Sequence, residues 1–320
     1  MINAINDRSI ATVLALLALG LCQWSCCAWG GTHLMQVGDV RLDVQMDETV
    51  LQQRDPSRWD EWLRRSVDSV RSIGHSYPAD ELHVHLISTG GDEPVQFGRV
   101  RRSDPPQVHF YLNPDASLDE LLDDWHSYHE FAHLLIPFPG NRDIWFTEGL
   151  ASYYQYLLQA RAGVISADQA WQRLVEGFER GINDHNGRGV ELYRLSPSMW
   201  HEQAYRRVYW TGASFFLRVD TRLRTESEGR YSLDQVLMEF NQCCRDQRRR
   251  WNAKQLIDAF GQLSINAVWQ EEYDASIAAP AEPEFAAAFA LLGIQQRDQS
   301  TWLDTATAPT ALRNAIALGQ

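Results

Sequence analysis

The chain has 320 residues, 44% of them hydrophobic and 22% charged, which is enough for two small lobes around a buried core and typical of a globular protein. Its net charge of −13 argues against nucleic acid or an anionic membrane surface as the main partner, because both select Lys and Arg. The 12 Trp, 11 Tyr and 12 Phe suffice to fill cores or to line a groove with rings.

In chain order, Arg8 precedes an uncharged apolar run from Ile10 to Leu21. This run is shorter than the ~20 residues that span a bilayer. Small residues near Cys26 and Ala28 offer a cleavage site. Residues 1–28 therefore read as a secretory signal peptide, or as a short uncleaved anchor, which is the one route to a membrane. Export to the periplasm or the extracellular space follows. Leu21 is too large to precede a lipidated Cys22, and Gln23 is a poor start for a lipidation site at Cys26; Cys27 has no better claim. Of five cysteines, only Cys243 and Cys244 lie beyond the leader. Neighbours on a helix point ~100° apart, so two buried or half-buried thiols are expected there, or a bridge to a second chain, rather than an internal disulfide.

Val40, Leu42, Val44 and Met46 alternate, which predicts a strand over 40–46. Trp59, Trp62, Leu63, Val67, Val70 and Ile73 form a helical stripe. Strands are predicted over 82–87, 95–100 and 108–112, the last two separated by Ser103-Asp104-Pro105-Pro106. Residues 36–115 thus form a small mixed lobe. Ser117 and Glu120 have capping-box spacing and open a helix expected to run unbroken through His133 and stop before Pro137. A second helix covers 147–162 and ends at Gly163. Further helices are predicted over 167–181, 203–225, 233–245 (with Ser232 and Gln235 as a capping signal), 253–263, 266–277 and 283–291. Residues 116–295 make a helical lobe, and 296–320 a short tail. The fold class is α+β.

The chemistry concentrates in His129-Glu130-Phe131-Ala132-His133. Two histidines four apart on a helix share a face and can grip one ion. A single zinc ion held by three protein ligands keeps an open position for water, and Glu130 reaches the rim of that site as proton acceptor. The competing reading is a pair of core histidines. The third ligand is sought in Trp145-Phe146-Thr147-Glu148-Gly149, where Glu148 supplies a carboxylate early in the next helix. Gly149 is expected to let that helix approach the metal helix. His126 and Asp143 are weaker alternatives.

Together with Ser152-Tyr153-Tyr154, these motifs resemble the gluzincin superfamily of zinc peptidases, which includes thermolysin and the large aminopeptidases, and most nearly the glycyl aminopeptidase family. Tyr209-Trp210-Thr211-Gly212, the helix from Ala213 to Thr225, Tyr231 to Val236, and Phe285 to Ile294 extend the likeness over roughly residues 117–295. The resemblance implies a thermolysin-like core, peptide or unfolded-protein substrates, and Tyr209 as a donor to the oxyanion. Tyr205, one turn earlier, is the rival donor. In such folds the substrate pairs with an edge strand: Val108–Leu112 or Phe97–Val100, where Gly98 permits close approach. Three departures stand out. Thr211 replaces the family's Lys, 14 residues separate His133 from Glu148, and the amine-anchoring Gly-x-Met-Glu-Asn is absent. Aminopeptidase specificity is therefore not implied. Two other functions remain open: a zinc-binding module without turnover, and a zinc hydrolase acting on another bond. His83 and His85 read as a solvent-facing pair or a second metal site, and Arg248–Arg250 as a solvated face.

Overall fold

The computed structural model describes residues 29–53, 55–245, 249–297 and 300–319; the predicted leader lies outside them. An N-terminal sheet is followed by a mostly helical region, the α+β arrangement expected.

The chain opens with β1 (Trp29–Val37), β2 (Val40–Asp47) and a single turn, α1 (Glu48–Leu51). The amphipathic helix α2 (Ser57–Arg71) then leads to β3 (Glu81–Ser88), β4 (Val95–Arg101) and β5 (Gln107–Leu112). The five strands order as β1-β2-β3-β5-β4. β2, β3 and β5 run parallel, and β1 and β4 flank them antiparallel. β4 is therefore an edge strand and β5 is not, which removes Val108–Leu112 as a candidate substrate edge. β1 has no counterpart among the predicted strands. The alternation of β2 is real: Val40, Leu42, Val44 and Met46 are buried. They share one buried core with Trp59, Trp62, Leu63, Val67 and Val70 of α2.

The expected helix from Ser117 to His133 is broken. α3 (Leu118–Asp123) starts with the foreseen capping box between Ser117 and Glu120. Asp124 then turns extended (φ −72°, ψ 135°), and α4 (His126–Ala132) begins anew, closing in a 3-10 turn at His133–Leu135. The break is chemically satisfied. The Asp124 side chain accepts from the His126 N–H at 2.8 Å. Buried Gln159 donates to the freed carbonyls of Leu122 (3.1 Å) and Asp123 (2.9 Å).

α5 (Ile144–Arg161) is the central helix, with every residue from Trp145 to Ala160 buried. A helix enclosed on all sides carries no amphipathic stripe. Around it pack α6 (Ala167–Asn183), α7 (Leu192–Leu195), α8 (Tyr205–Glu226), α9 (Leu233–Cys243), α10 (Ala253–Gln262), α11 (Asn266–Ile277) and α12 (Ala286–Leu292). The C-terminal stretch folds into a hairpin, β6 (Ile294–Arg297) with β7 (Ser300–Leu303), and α13 (Thr307–Leu318). Arg161 ties α13 to the centre by donating to Ile316 O (2.9 Å) and Asp234 Oδ2 (2.8 Å).

Three further expectations are corrected. Gly149 meets α8 and not the metal helix: a methyl group there would lie 2.5 Å from Gly212 Cα. Cys243 and Cys244 are exposed and joined in a disulfide. The premise of two neighbours on one helix fails because α9 ends at Cys243 and Cys244 has left helical geometry (φ −132°). His83 and His85 are not a solvent-facing pair, since His85 is buried with its ring stacked 4.2 Å from that of His109. Of the arginine run, Arg248 lies outside the described residues, and Arg249 and Arg250 are exposed.

Candidate metal centre and active site

α4 is seated on the sheet through Phe131, whose ring contacts Phe110 of β5 (centroids 5.6 Å apart). Ser127 reaches Ser66 of α2 at 2.8 Å. With that face anchored, His129 and His133 project from the opposite side, their ring centroids 4.7 Å apart. The first turn of α5 brings Glu148 across from them. Glu148 Oε2 lies 3.3 Å from His129 Nε2 and 3.5 Å from His133 Nε2.

These separations match the ~3.4 Å expected between tetrahedral ligands at zinc bond lengths of about 2.1 Å. The outer nitrogens are spoken for. His129 Nδ1 bonds Gln155 Oε1 at 3.0 Å, and His133 Nδ1 bonds Thr147 Oγ1 at 3.0 Å. With Nδ1 donating, each Nε2 turns its lone pair toward the common centre, the usual support of a metal-binding imidazole. His129, His133 and Glu148 form the sole such ligand cluster among the described residues, so the residues fit one zinc ion. The alternative ligands point elsewhere. Asp143 Oδ2 accepts from the Ala253 N–H at the start of α10, and His126 pairs with Asp124 at 2.8 Å and stacks on Trp125.

A family model, M61 glycyl aminopeptidase, matches residues 139–213, the segment carrying Glu148 and Tyr209. An aminopeptidase N family protein from Idiomarina loihiensis superposes with a TM-score of 0.61 at 14% identity, over 83% of this chain and 49% of that one. The M1 zinc metallopeptidase from Deinococcus radiodurans superposes with a TM-score of 0.50 at 15% identity, over 79% of this chain and 52% of that one. The chain shares the fold of these two proteins over most of its length. It spans about half the length of these solved structures. No curated protein matches it by sequence.

Glu130 and Tyr209, the other residues singled out in the sequence, lie beside this cluster. Glu130 is buried beside Gly98 of β4, where a methyl group would lie 2.5 Å from Glu130 Cγ. Burial, reinforced by the neighbouring Glu148 charge, pushes the Glu130 carboxyl up to about 7. Burial also drives His133 down to about 3, which keeps the imidazole neutral and free to ligate. Burial alone would raise Glu148, but the two imidazoles and the Tyr209 hydroxyl, which hydrogen-bonds it, hold the carboxyl below its ordinary value. Tyr209 stacks on His129 with ring centroids 6.0 Å apart. Burial and the Glu148 charge raise its phenol well above the usual range. Tyr205 lies one turn away, with no bond to Glu148 among those described, between Tyr209 and the exposed Trp200.

Gln155 and Thr147 were not foreseen. Gln155 lies seven residues, about two turns, beyond Glu148. It is a buried amide in an apolar helix, which needs a partner; that was the available signal.

Proposed function

We propose that this chain is an exported zinc-dependent peptidase that hydrolyses peptide bonds in extended peptides or unfolded proteins. The meeting of His129, His133 and Glu148, with the Glu130 carboxyl at the foot of an open sheet edge, carries this reading.

His129, His133 and Glu148 would hold the zinc, which supplies Lewis-acid polarisation of a water molecule and of the scissile carbonyl. Glu130 accepts a proton from the attacking water at a carboxylate oxygen and passes it to the leaving amine nitrogen. A carboxyl raised toward neutrality is suited to both steps. The Tyr209 hydroxyl donates to the carbonyl oxygen as negative charge develops there. The unpaired edge of β4 offers backbone donors and acceptors to an extended peptide. Export rests on the leader at residues 1–28. N-terminal sequencing of the mature chain from a fractionated host tests it: a start near residue 28 in the soluble exported fraction is expected, whereas an intact leader in the membrane fraction would show an anchor.

A peptide library digested with and without a chelator, with products mapped by mass spectrometry, tests the activity and reports its end preference. Chelator-sensitive cleavage is expected. Glu130→Gln should keep zinc and lose turnover by ~10²-fold or more. Zinc-loaded protein that cleaves nothing would favour a binding module, and cleavage confined to another bond type would favour a different hydrolase.

A further inference from the structure

His133 is buried but stands at the end of its helix, the residue at which α4 gives way to a 3-10 turn. The last carbonyls of a helix have no intrahelical partner, and an end left so frays. Here four consecutive carbonyls, those of His133, Leu134, Leu135 and Ile136, each accept from a side chain of another element. The Arg102 guanidinium, just past β4, donates to His133 O at 2.6 Å and to Ile136 O at 2.8 Å. Arg245, just past α9, donates to Leu134 O at 2.8 Å. Asn241 of α9 donates to Leu135 O at 3.0 Å and accepts from Arg245 at 2.6 Å. One turn earlier, Tyr77 donates to Phe131 O at 3.2 Å.

We infer that Arg102, with Arg245 and Asn241, is a positioning residue of the metal centre: this collar of side-chain donors fixes the helix end that aims His133 Nε2 at Glu148. The inference rests on the metal reading above and deepens it. Two cations at a helix C-terminus also complement its partial negative charge. The Arg102 fork spans carbonyls three residues apart, a match for the rigid, planar guanidinium that a single ammonium cannot reproduce. The same residue leaves the edge strand that carries Gly98. The strand beside the proton-accepting carboxylate and the clamp on a ligand-bearing turn are therefore continuous in sequence. No motif announces this, since the three donors lie outside the zinc signature and meet it only through backbone atoms.

The test measures zinc affinity of the full chain by competition with a chromophoric chelator, together with the visible spectrum of the cobalt(II) form. Arg102→Met is expected to weaken zinc binding ~10- to 100-fold, the range seen when groups supporting a ligand are removed, and to alter the cobalt bands. Arg102→Lys should restore part of the loss, because it can satisfy one carbonyl but not two. If Arg102→Met does not fold, Asn241→Ala, which removes one bond and leaves both cations, is read in the same two assays, with a smaller loss expected. Folded variants with unchanged zinc affinity and an unchanged cobalt spectrum would overturn the inference while leaving the metal site standing. Wild-type chain that binds no zinc would instead overturn the site itself.

Discussion

Gly98→Ala isolates the role of the edge strand in holding Glu130, the proposed proton acceptor. The added methyl group would lie 2.5 Å from Glu130 Cγ and 2.9 Å from both Cδ and Oε1. Ordinary carbon contacts begin at about 3.5 Å, so the stem of Glu130 must retreat by roughly 1 Å. Gly98 does not have positive φ among the described residues, so the substitution carries a spatial conflict and little backbone strain. A displacement of ~1 Å in a catalytic group costs on the order of 10²-fold in rate, or about 2.7 kcal/mol on the barrier. Glu130 is not among the ligand atoms, so zinc content is expected to stay at the wild-type level. The assay pairs kcat and KM on a peptide found in the library screen with metal quantification. Adding Glu130→Asp, which shortens the stem by one methylene, should cost less in the Gly98→Ala background than in the wild type. A kcat within about threefold of wild type, at equal zinc content, would refute the claim that this contact places the carboxylate.

Three further outcomes are expected. Tyr209→Phe should lower kcat by ~10²-fold with little change in KM, the signature of a donor that acts on developing charge; a change in KM alone would make Tyr209 a binding residue. Gly212→Ala should destabilise the fold by about 3 kcal/mol, because the new methyl would meet Trp145 O at 2.3 Å and Gly149 Cα at 2.7 Å, backbone atoms that no rotamer can move; an unchanged denaturation midpoint would show that the helices separate freely. Burial pushes His85 down to about 4 and His109 down to about 3, with each other and His83, Arg99 and Arg101 adding positive charge nearby and Asp43 opposing it at His85. Their folded values lie below the ~6.5 of the unfolded chain, so the unfolded state takes up protons first and stability falls as pH drops from about 6.5 toward 4. At pH 5 each histidine taken alone would cost just under ~2 kcal/mol relative to pH 7, and solvent screening brings the pair to the order of 2 kcal/mol. The double variant His85→Gln, His109→Gln should flatten that limb of the pH–stability curve, and an unchanged slope would count against the assignment.

The parts of the fold legible in the sequence were those where one residue type does one job. Alternation over Val40–Met46 marks a half-buried strand because side chains on a strand point to opposite faces. The spacing of His129 and His133 marks a shared helical face, and Ser117 with Glu120 marks a helix start. The rest depended on partners far away in the chain. The break at Asp124 is stabilised by Gln159, and nothing near Asp124 announces it. Alternation could not show that β5 is enclosed and β4 is the edge, because strand order is set by crossovers rather than by local pattern. Gly149 marks a close approach, but its local sequence does not say which helix comes near, since two candidate neighbours meet the same requirement. Helical geometry ends between Cys243 and Cys244, so the angle between neighbours on a helix does not govern them. At the site, the three proposed ligands and Glu130 are legible in motifs, whereas Gln155, Thr147 and the donors around residues 133–136 act by hydrogen bonds that only the assembled structure brings within reach.

The crossing of α5 and α8 at Gly149 and Gly212 has a mechanical consequence. Where main chain rests directly on main chain, no side chain lies between to change rotamer, so the spacing of the two helix axes has no soft coordinate. Glu148 and Tyr209 sit one and three residues from that pivot and inherit its stiffness. Thermal motion can then shift the surrounding rings while the span between this carboxylate and this phenol stays close to constant.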